Sequence, residues 1–294
     1  LATHGRGIII VDDISPLREI NEESLSEKLY FFEKDNYVMS DQSGFSDNFG
    51  RETQFFGANS SLNARIKYLL PKRHTFGKMT MEIFDESGGS IVKLSPGKTK
   101  GMNFVSWNYR MSQPKVAKGK TLARGGLTSP RVKEGTYNIV ITKGKDSFSK
   151  SIYVSDDPNT NLDSNEKKLK YETTMKLYDL SEELAYVIYT IDEMLSSDNI
   201  KKGIKNKLQT IKESLVITTG DNYVGTAENE LREDLLDLYS KLASSYDKPS
   251  QNDLDNLSIV ENEYNSLKSE YDKIIRRVNL SQMDLLTLDE FLNN

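Results

Sequence analysis

The sequence predicts a multidomain protein, β first and α after, and three observations predict it. Apolar residues alternate with polar ones through Val154, the signature of strands. From Asn165 the apolar spacing changes to threes and fours, the signature of amphipathic helices. Between them Asp156-Asp157-Pro158-Asn159 breaks both patterns. The expected layout is a hairpin over 1–16, a connector over 17–60, an antiparallel β-sandwich over 61–156 and an antiparallel four-helix bundle with a short C-terminal helix over 162–294.

The opening LATHGRGIIIVDD reads as a strand over Leu1 to Thr3, a turn on His4-Gly5-Arg6-Gly7, and a second strand from Ile8 to Val11. In that turn the glycines supply backbone freedom and Arg6 a cap for carbonyls, a structural role. Two such strands bury too little to stand alone. They read as part of a sheet whose other strands come from preceding sequence. Residues 21–60 are polar with scattered aromatics and fit several short strands or a wrapping loop.

Regular strands follow at 64–70, 78–85 and 90–94, the last two joined by Asp85-Glu86-Ser87-Gly88-Gly89, where the glycines provide positive φ. Further strands are expected at 102–110, 135–142 and 147–154, with a Gly-Lys turn at 143–145. The stretch 111–134 interrupts this order. It carries Lys115, Lys118, Lys120, Arg124, Arg131 and Lys133 against one acid, Glu134, and reads as a long mobile loop. Its functional alternative is contact with an anion or acidic glycan, for which exposed Lys and Arg are natural donors. Trp107, the sole tryptophan, reads as a core residue of its strand, with sugar stacking as the alternative.

Four apolar stripes mark the helices. Leu177, Leu180, Leu184, Val187, Ile191 and Met194 form the first; Ile204, Leu208, Ile211 and Leu215 the second; Leu231, Leu235, Leu238 and Leu242 the third. The fourth runs from Leu257 through Val260, Tyr264, Leu267, Tyr271 and Ile274 to Val278, with Ser250 as its N-cap. The tail MDLLTLDEFLN (283–293) is a short amphipathic piece expected to pack back on the bundle, or else to bind a partner.

The net charge of −5 divides unevenly: residues 1–155 hold 23 Lys and Arg against 16 Asp and Glu, and residues 156–294 hold 16 against 28. Each half either has its own solvated surface, or the basic half docks against the acidic one, or each faces a different partner. Absence of cysteine excludes disulfides and thiolate metal sites, and two histidines exclude an imidazole-rich one. No run of eighteen apolar residues is present, so no membrane-spanning helix is expected.

The motifs, taken in order, resemble the C-terminal portion of sortilin-type β-propeller proteins with BNR (Asp-box) repeats, a family classed with glycosyl hydrolases. They are ATHGRGIIIVDD with Ile14-Ser15-Pro16-Leu17; Gly57, Asn59, Ala64, Ile66, Tyr68 and Leu70; Ile83-Phe84-Asp85 with Gly88; Gly101, Asn103 and Trp107; and Gly135-Thr136-Tyr137. Ser60-Ser61 stands where the family has Pro-Pro, and the Asp-box itself does not occur. The resemblance implies that 1–16 ends the last blade of an upstream propeller, that the sandwich is immunoglobulin-like, and that the protein is secreted, periplasmic or on the cell surface.

No catalytic set emerges, and no cofactor or metal site is expected. Glycoside hydrolysis needs two carboxylates a set distance apart across a cleft. Asp12 and Asp13 are adjacent on an extended segment and point to opposite faces, as do Asp156 and Asp157. Glu172, Asp179, Glu182 and Glu183 read as a solvated helix face. Whether the intact protein is an enzyme is left open by this chain. The expected role is that of a non-catalytic accessory region whose partner is the propeller of the same protein. The alternative is a glycan- or protein-binding module using the 111–134 loop or the bundle, and nucleic acid is not an expected partner.

Overall fold

The structure is a computed structural model, and it describes residues 2–3, 7–8, 13–33, 37–41, 62–219, 229–278 and 283–293. The chain forms two compact units. One comprises Leu1–Met111 and Val132–Thr160, the other Ser112–Arg131 and Asn161–Asn294.

The first unit is built of strands. β1 (Ala2–Thr3) pairs antiparallel with β2 (Gly7–Ile8) as a separate two-stranded sheet. His4, Gly5 and Arg6 lie outside the described residues, so only Gly7 of the predicted turn is placed, at the start of β2. Two short helices follow, α1 (Ser15–Glu19), at the boundary between the expected hairpin and connector, and α2 (Glu22–Ser26), where the sequence suggested strands or a wrapping loop. Local hydrogen bonding accounts for the second: Asn21 accepts from Ser24 N–H at 2.9 Å while Ser24 Oγ accepts from Asn21 N–H at 2.9 Å, a reciprocal cap.

β3 (Tyr30–Phe31), β5 (Ala64–Leu70) and β8 (Gly101–Trp107) form a three-stranded antiparallel sheet in the order β3-β5-β8. β4 (Tyr37–Met39), β6 (Met79–Phe84), β7 (Ser90–Leu94), β9 (Gly135–Lys143) and β10 (Asp146–Asp156) form a second sheet, ordered β4-β10-β9-β6-β7. Alternation decides which side chains turn inward. Ile66 and Tyr68 of one sheet and Met81, Ile83, Ile139 and Ile141 of the other are buried in one hydrophobic core.

One pairing departs from an all-antiparallel expectation: β4 runs parallel to β10, Tyr37 opposite Val154 and Met39 opposite Asp156. The strand comes from the predicted connector, and Asp157 holds it. Its carboxylate accepts from Asp41 N–H at 3.0 Å and Asn159 N–H at 2.9 Å, tying the exits of both strands together. In the β6–β7 turn Gly88 takes φ 86°, as the turn requires, whereas Gly89 does not have positive φ. The Asp85 carboxylate instead collects Ser87 N–H at 2.9 Å and Gly89 N–H at 2.8 Å.

The second unit is helical: α3 (Ser164–Ser196), α4 (Lys202–Leu215), α5 (Leu231–Ser244), α6 (Gln251–Ile275) and α7 (Leu288–Asn293). Asp163 caps α3 by accepting from Asn165 and Glu166 N–H at 2.8 and 2.9 Å. Ser250 caps α6, its hydroxyl accepting from Asp253 N–H at 3.3 Å. The stripes meet in one core that includes Leu177, Leu184, Ile191, Leu208, Leu235, Leu242, Leu257 and Val260. Buried hydroxyls on α3 are satisfied within the helix: Thr173 and Ser181 each donate at 2.7 Å to the carbonyl four residues back. Thr190 and Tyr271 join hydroxyls at 2.6 Å across α3 and α6.

Candidate functional site

The stretch singled out by its lysines is an integral part of the helical unit. Residues 112–131 leave the β unit after Met111 and return at Val132, whose N–H donates to Tyr109 O at 2.9 Å and closes the neck. In between, the segment lies on α5. Ala117 is buried in the helical core, with Val116 and Ala123 packed against it. Three glycines allow this. A Cβ on Gly125 would stand 2.2 Å from Leu236 O, one on Gly119 2.4 Å from Val216 Cγ2, and one on Gly126 2.4 Å from Val116 Cγ1.

Arg232 on α5 holds the segment. Its side chain is 2% exposed. Nη1 donates to Ala117 O at 2.8 Å and Nη2 to Thr121 O at 3.1 Å, with Nη2 also bonded to Thr121 Oγ1. Glu233 Oε1 neutralises the guanidinium, accepting from Nε at 2.9 Å, from Nη2, and from Thr121 Oγ1 at 2.6 Å. A buried charge is tolerable only when paired and hydrogen-bonded, and this one is both. Further along, Tyr239 Oη donates to Thr128 O at 2.8 Å, and Lys120 N–H to Ile217 O at 2.9 Å.

The predicted contact residues divide accordingly. Lys115 is engaged at both ends: its N–H donates to Glu182 Oε1 at 3.1 Å, and its ammonium bonds Phe291 O and lies 4.2 Å over the Phe291 ring. Lys118 and Lys120 are exposed. Arg131 sits 5.1 Å over the Tyr246 ring. Arg124 begins a single 3-10 turn, Arg124–Leu127, and its side chain lies outside those described. The mobile surface loop expected here is corrected to a docked segment, because glycines and a buried guanidinium cannot be read as packing from a run of lysines.

Trp107 is a core residue. It is 1% exposed, donates from Nε1 to Arg110 O at 3.0 Å, and has the Tyr109 and Tyr137 rings against it at 5.4 and 5.7 Å. No ring face is left for a sugar.

Glu172, Asp179 and Glu183 are exposed, as a solvated helix face requires, and Glu182 alone departs from that reading, being half-buried. Burial raises its carboxyl above the ordinary range, opposed by the Lys115 N–H and Tyr178 hydroxyl that hydrogen-bond it. The tail packs back on α3. The Phe291 ring stacks on Tyr189 at 5.0 Å, Tyr186 Oη donates to Leu286 O at 3.0 Å, and Leu286 N–H donates to Tyr189 Oη at 3.2 Å. Asp13 and Lys67 form an ion pair, and that hydrogen bond holds the Asp13 carboxyl well below its usual range.

Among the described residues no three acidic or imidazole side chains converge as a metal set, and no helix is long and apolar enough to cross a membrane.

No protein-family model and no curated protein sequence matches the chain. Among solved structures, the crystal structure of CopC from Methylosinus trichosporium OB3b is similar, at 11% sequence identity over 46% of this chain and 99% of that chain, with a TM-score of 0.23. A likeness of that size carries no argument about fold or function.

Proposed function

We propose that this chain is a non-catalytic accessory region, structural or binding in role, of a sortilin-type BNR β-propeller protein. In this reading the β1–β2 hairpin ends the last propeller blade, the two sheets of the β unit are an immunoglobulin-like sandwich, and the helical unit is the region that follows it. The intact protein is then a glycosyl hydrolase of that class, acting outside the cytoplasm, with chemistry supplied by the propeller.

The observation that carries the reading is the isolation of the hairpin. Two strands of two residues each pair only with one another among the described residues, and so small a sheet is not stable by itself in water. Five residues after Ile8, Asp13 is held to Lys67 on β5, which fixes where the chain joins the β unit.

Amide exchange in this chain alone tests the proposal. Ala2, Thr3, Gly7 and Ile8 are expected to exchange orders of magnitude faster than Ile66 or Ile139. Protection of the four equal to that of β5 overturns the propeller assignment, because the hairpin would then have a complete sheet of its own.

A further inference from the structure

The cations of the β unit converge on one end of it. β5 finishes at Leu70 opposite Gly101, the first residue of β8, and β6 begins at Met79 opposite Lys143, the last residue of β9. Antiparallel pairing therefore brings the connections 71–78, 95–100 and 143–146 to the same place. Hydrogen bonds hold them there: His74 N–H donates to Lys98 O at 3.0 Å, the Lys98 ammonium to Gly77 O at 3.0 Å, and Gly144 N–H to Lys78 O at 3.4 Å.

These connections carry Lys72, Arg73, Lys78, Lys98, Lys100, Lys143 and Lys145 against one carboxylate, Asp146. Lys28 holds that carboxylate at 2.9 Å, arriving with Glu27 from the chain before β3. Lys72, Arg73, Lys78, Lys100 and Lys145 are exposed, and none forms an ion pair with a described carboxylate. Gathering so many unpaired like charges costs free energy that an anionic partner recovers.

At the tip of the first connection, between Arg73 and Lys78, stands Phe76, 86% exposed and the barest large apolar side chain among the described residues. A ring that stacks on a sugar or a base forms a wall or floor of a groove and is partly covered by its neighbours. Phe76 instead projects from its loop, with no polar atom to bond to water or a hydroxyl. An apolar tip ringed by cations suits a planar surface that is anionic outside and apolar beneath, which is an anionic phospholipid bilayer.

We propose that this end of the β unit docks on anionic phospholipid membranes. Phe76 enters the boundary between headgroups and acyl chains, and Lys72, Arg73, Lys78, Lys100 and Lys145 meet lipid phosphates. This end of the β unit then lies on the membrane surface. The proposal is independent of the propeller reading.

Cosedimentation of the full chain with vesicles tests it. Pelleting is expected with equimolar phosphatidylcholine and phosphatidylglycerol, not with phosphatidylcholine alone, and is expected to fade as salt rises. At roughly fivefold per cation removed from an anionic surface, Lys72→Ala/Arg73→Ala/Lys78→Ala lowers the partition coefficient roughly a hundredfold. Phe76→Ser lowers it at least about tenfold, the effect of losing one buried aromatic ring. Lys118→Ala/Lys120→Ala, in the segment docked on α5, leaves it unchanged. Emission from Trp107 in the β core shows that each variant is folded. The proposal is overturned by failure to pellet with the anionic vesicles, by equal pelleting with neutral ones, or by wild-type partition of the folded triple variant. Retention on heparin with partition unaffected by Phe76→Ser also overturns it, since the surface would then serve a soluble polyanion.

Discussion

The Arg232 guanidinium donates to the Ala117 carbonyl at 2.8 Å, linking residues 115 positions apart in the buried part of the helical unit. That bond explains why a polar, glycine-containing stretch interrupts a run of strands: it supplies a wall of another core. Removing Arg232 leaves the Glu233 carboxylate without its ion-pair partner in a site 11% exposed, and a buried pair broken on one side costs about 3–5 kcal/mol. Arg232→Met is expected to lose about that much in urea unfolding followed by helical circular dichroism. Arg232→Met/Glu233→Leu is expected to recover part of the loss, because no charge is then stranded. Equal stability of Arg232→Met and wild type refutes the account.

At Gly125 the backbone of the segment lies against α5. With a Cβ due 2.2 Å from Leu236 O, Gly125→Ala forces the 3-10 turn away from the helix. Overpacking of this kind costs about 1–3 kcal/mol. Limited proteolysis is expected to cut the variant within 112–131 and to spare the wild type there. Gly88→Ala is the contrast: nothing lies within 4 Å of its Cβ, and its cost is backbone strain from φ 86°.

Asp157 makes the parallel β4–β10 pair sensitive to acid. The Asn159 N–H, then the Asp41 N–H, lower its pKa below the ordinary 3.8. Its stabilisation is therefore complete above the unfolded value and is lost as pH falls through the lower folded one. Asp157→Asn is expected to be less stable than wild type at neutral pH, with the difference vanishing in strong acid. Trp107 emission during urea titrations at several pH values measures it.

Glu182 has the opposite sign. Burial raises its carboxyl, so the folded state takes up a proton more readily than the unfolded chain, and the charged form weakens folding at neutral pH. Glu182→Gln retains an acceptor for the Lys115 N–H without the buried charge. It is expected to match or exceed wild-type stability at pH 7, by up to about 1 kcal/mol, with the gain disappearing as pH drops. A gain that grows in acid contradicts this.

Trp107→Ala is expected to cost about 3–5 kcal/mol, as truncation of a fully buried aromatic does. Addition of polysaccharide is expected to leave the wild-type Trp107 emission unchanged, since no ring face is exposed. A shift in emission on titration argues against a purely structural Trp107.

Period and turn chemistry are local, and what they govern was legible from the chain. Strands β5 and β7 match their expected spans residue for residue, and Ser250 caps α6 where its position before the fourth stripe predicts. The 112–131 segment was not legible, because it has no period and its partners lie on α5. Arg232 was hidden too: it sits beside Leu231 at the margin of the apolar stripe, where an arginine ordinarily reaches water. One signal was available, three glycines, Gly119, Gly125 and Gly126, in a stretch that joins no predicted hairpin, which is compatible with close backbone approach.

The sequence alone determined that the regular strands from β5 onward precede the long helices, where the apolar stripes of those elements lie, and that the first half is basic and the second acidic. Only the tertiary structure decided which cations are spent and which are free to meet a partner. Lys115 closes onto Phe291 inside the helical unit, while Lys72 and Lys145, far apart in the chain, come to one end of the β unit. The reason is physical: burial and periodicity act between neighbours along the chain, whereas a charge acquires its meaning from groups that only long-range strand pairing and helix packing bring within reach.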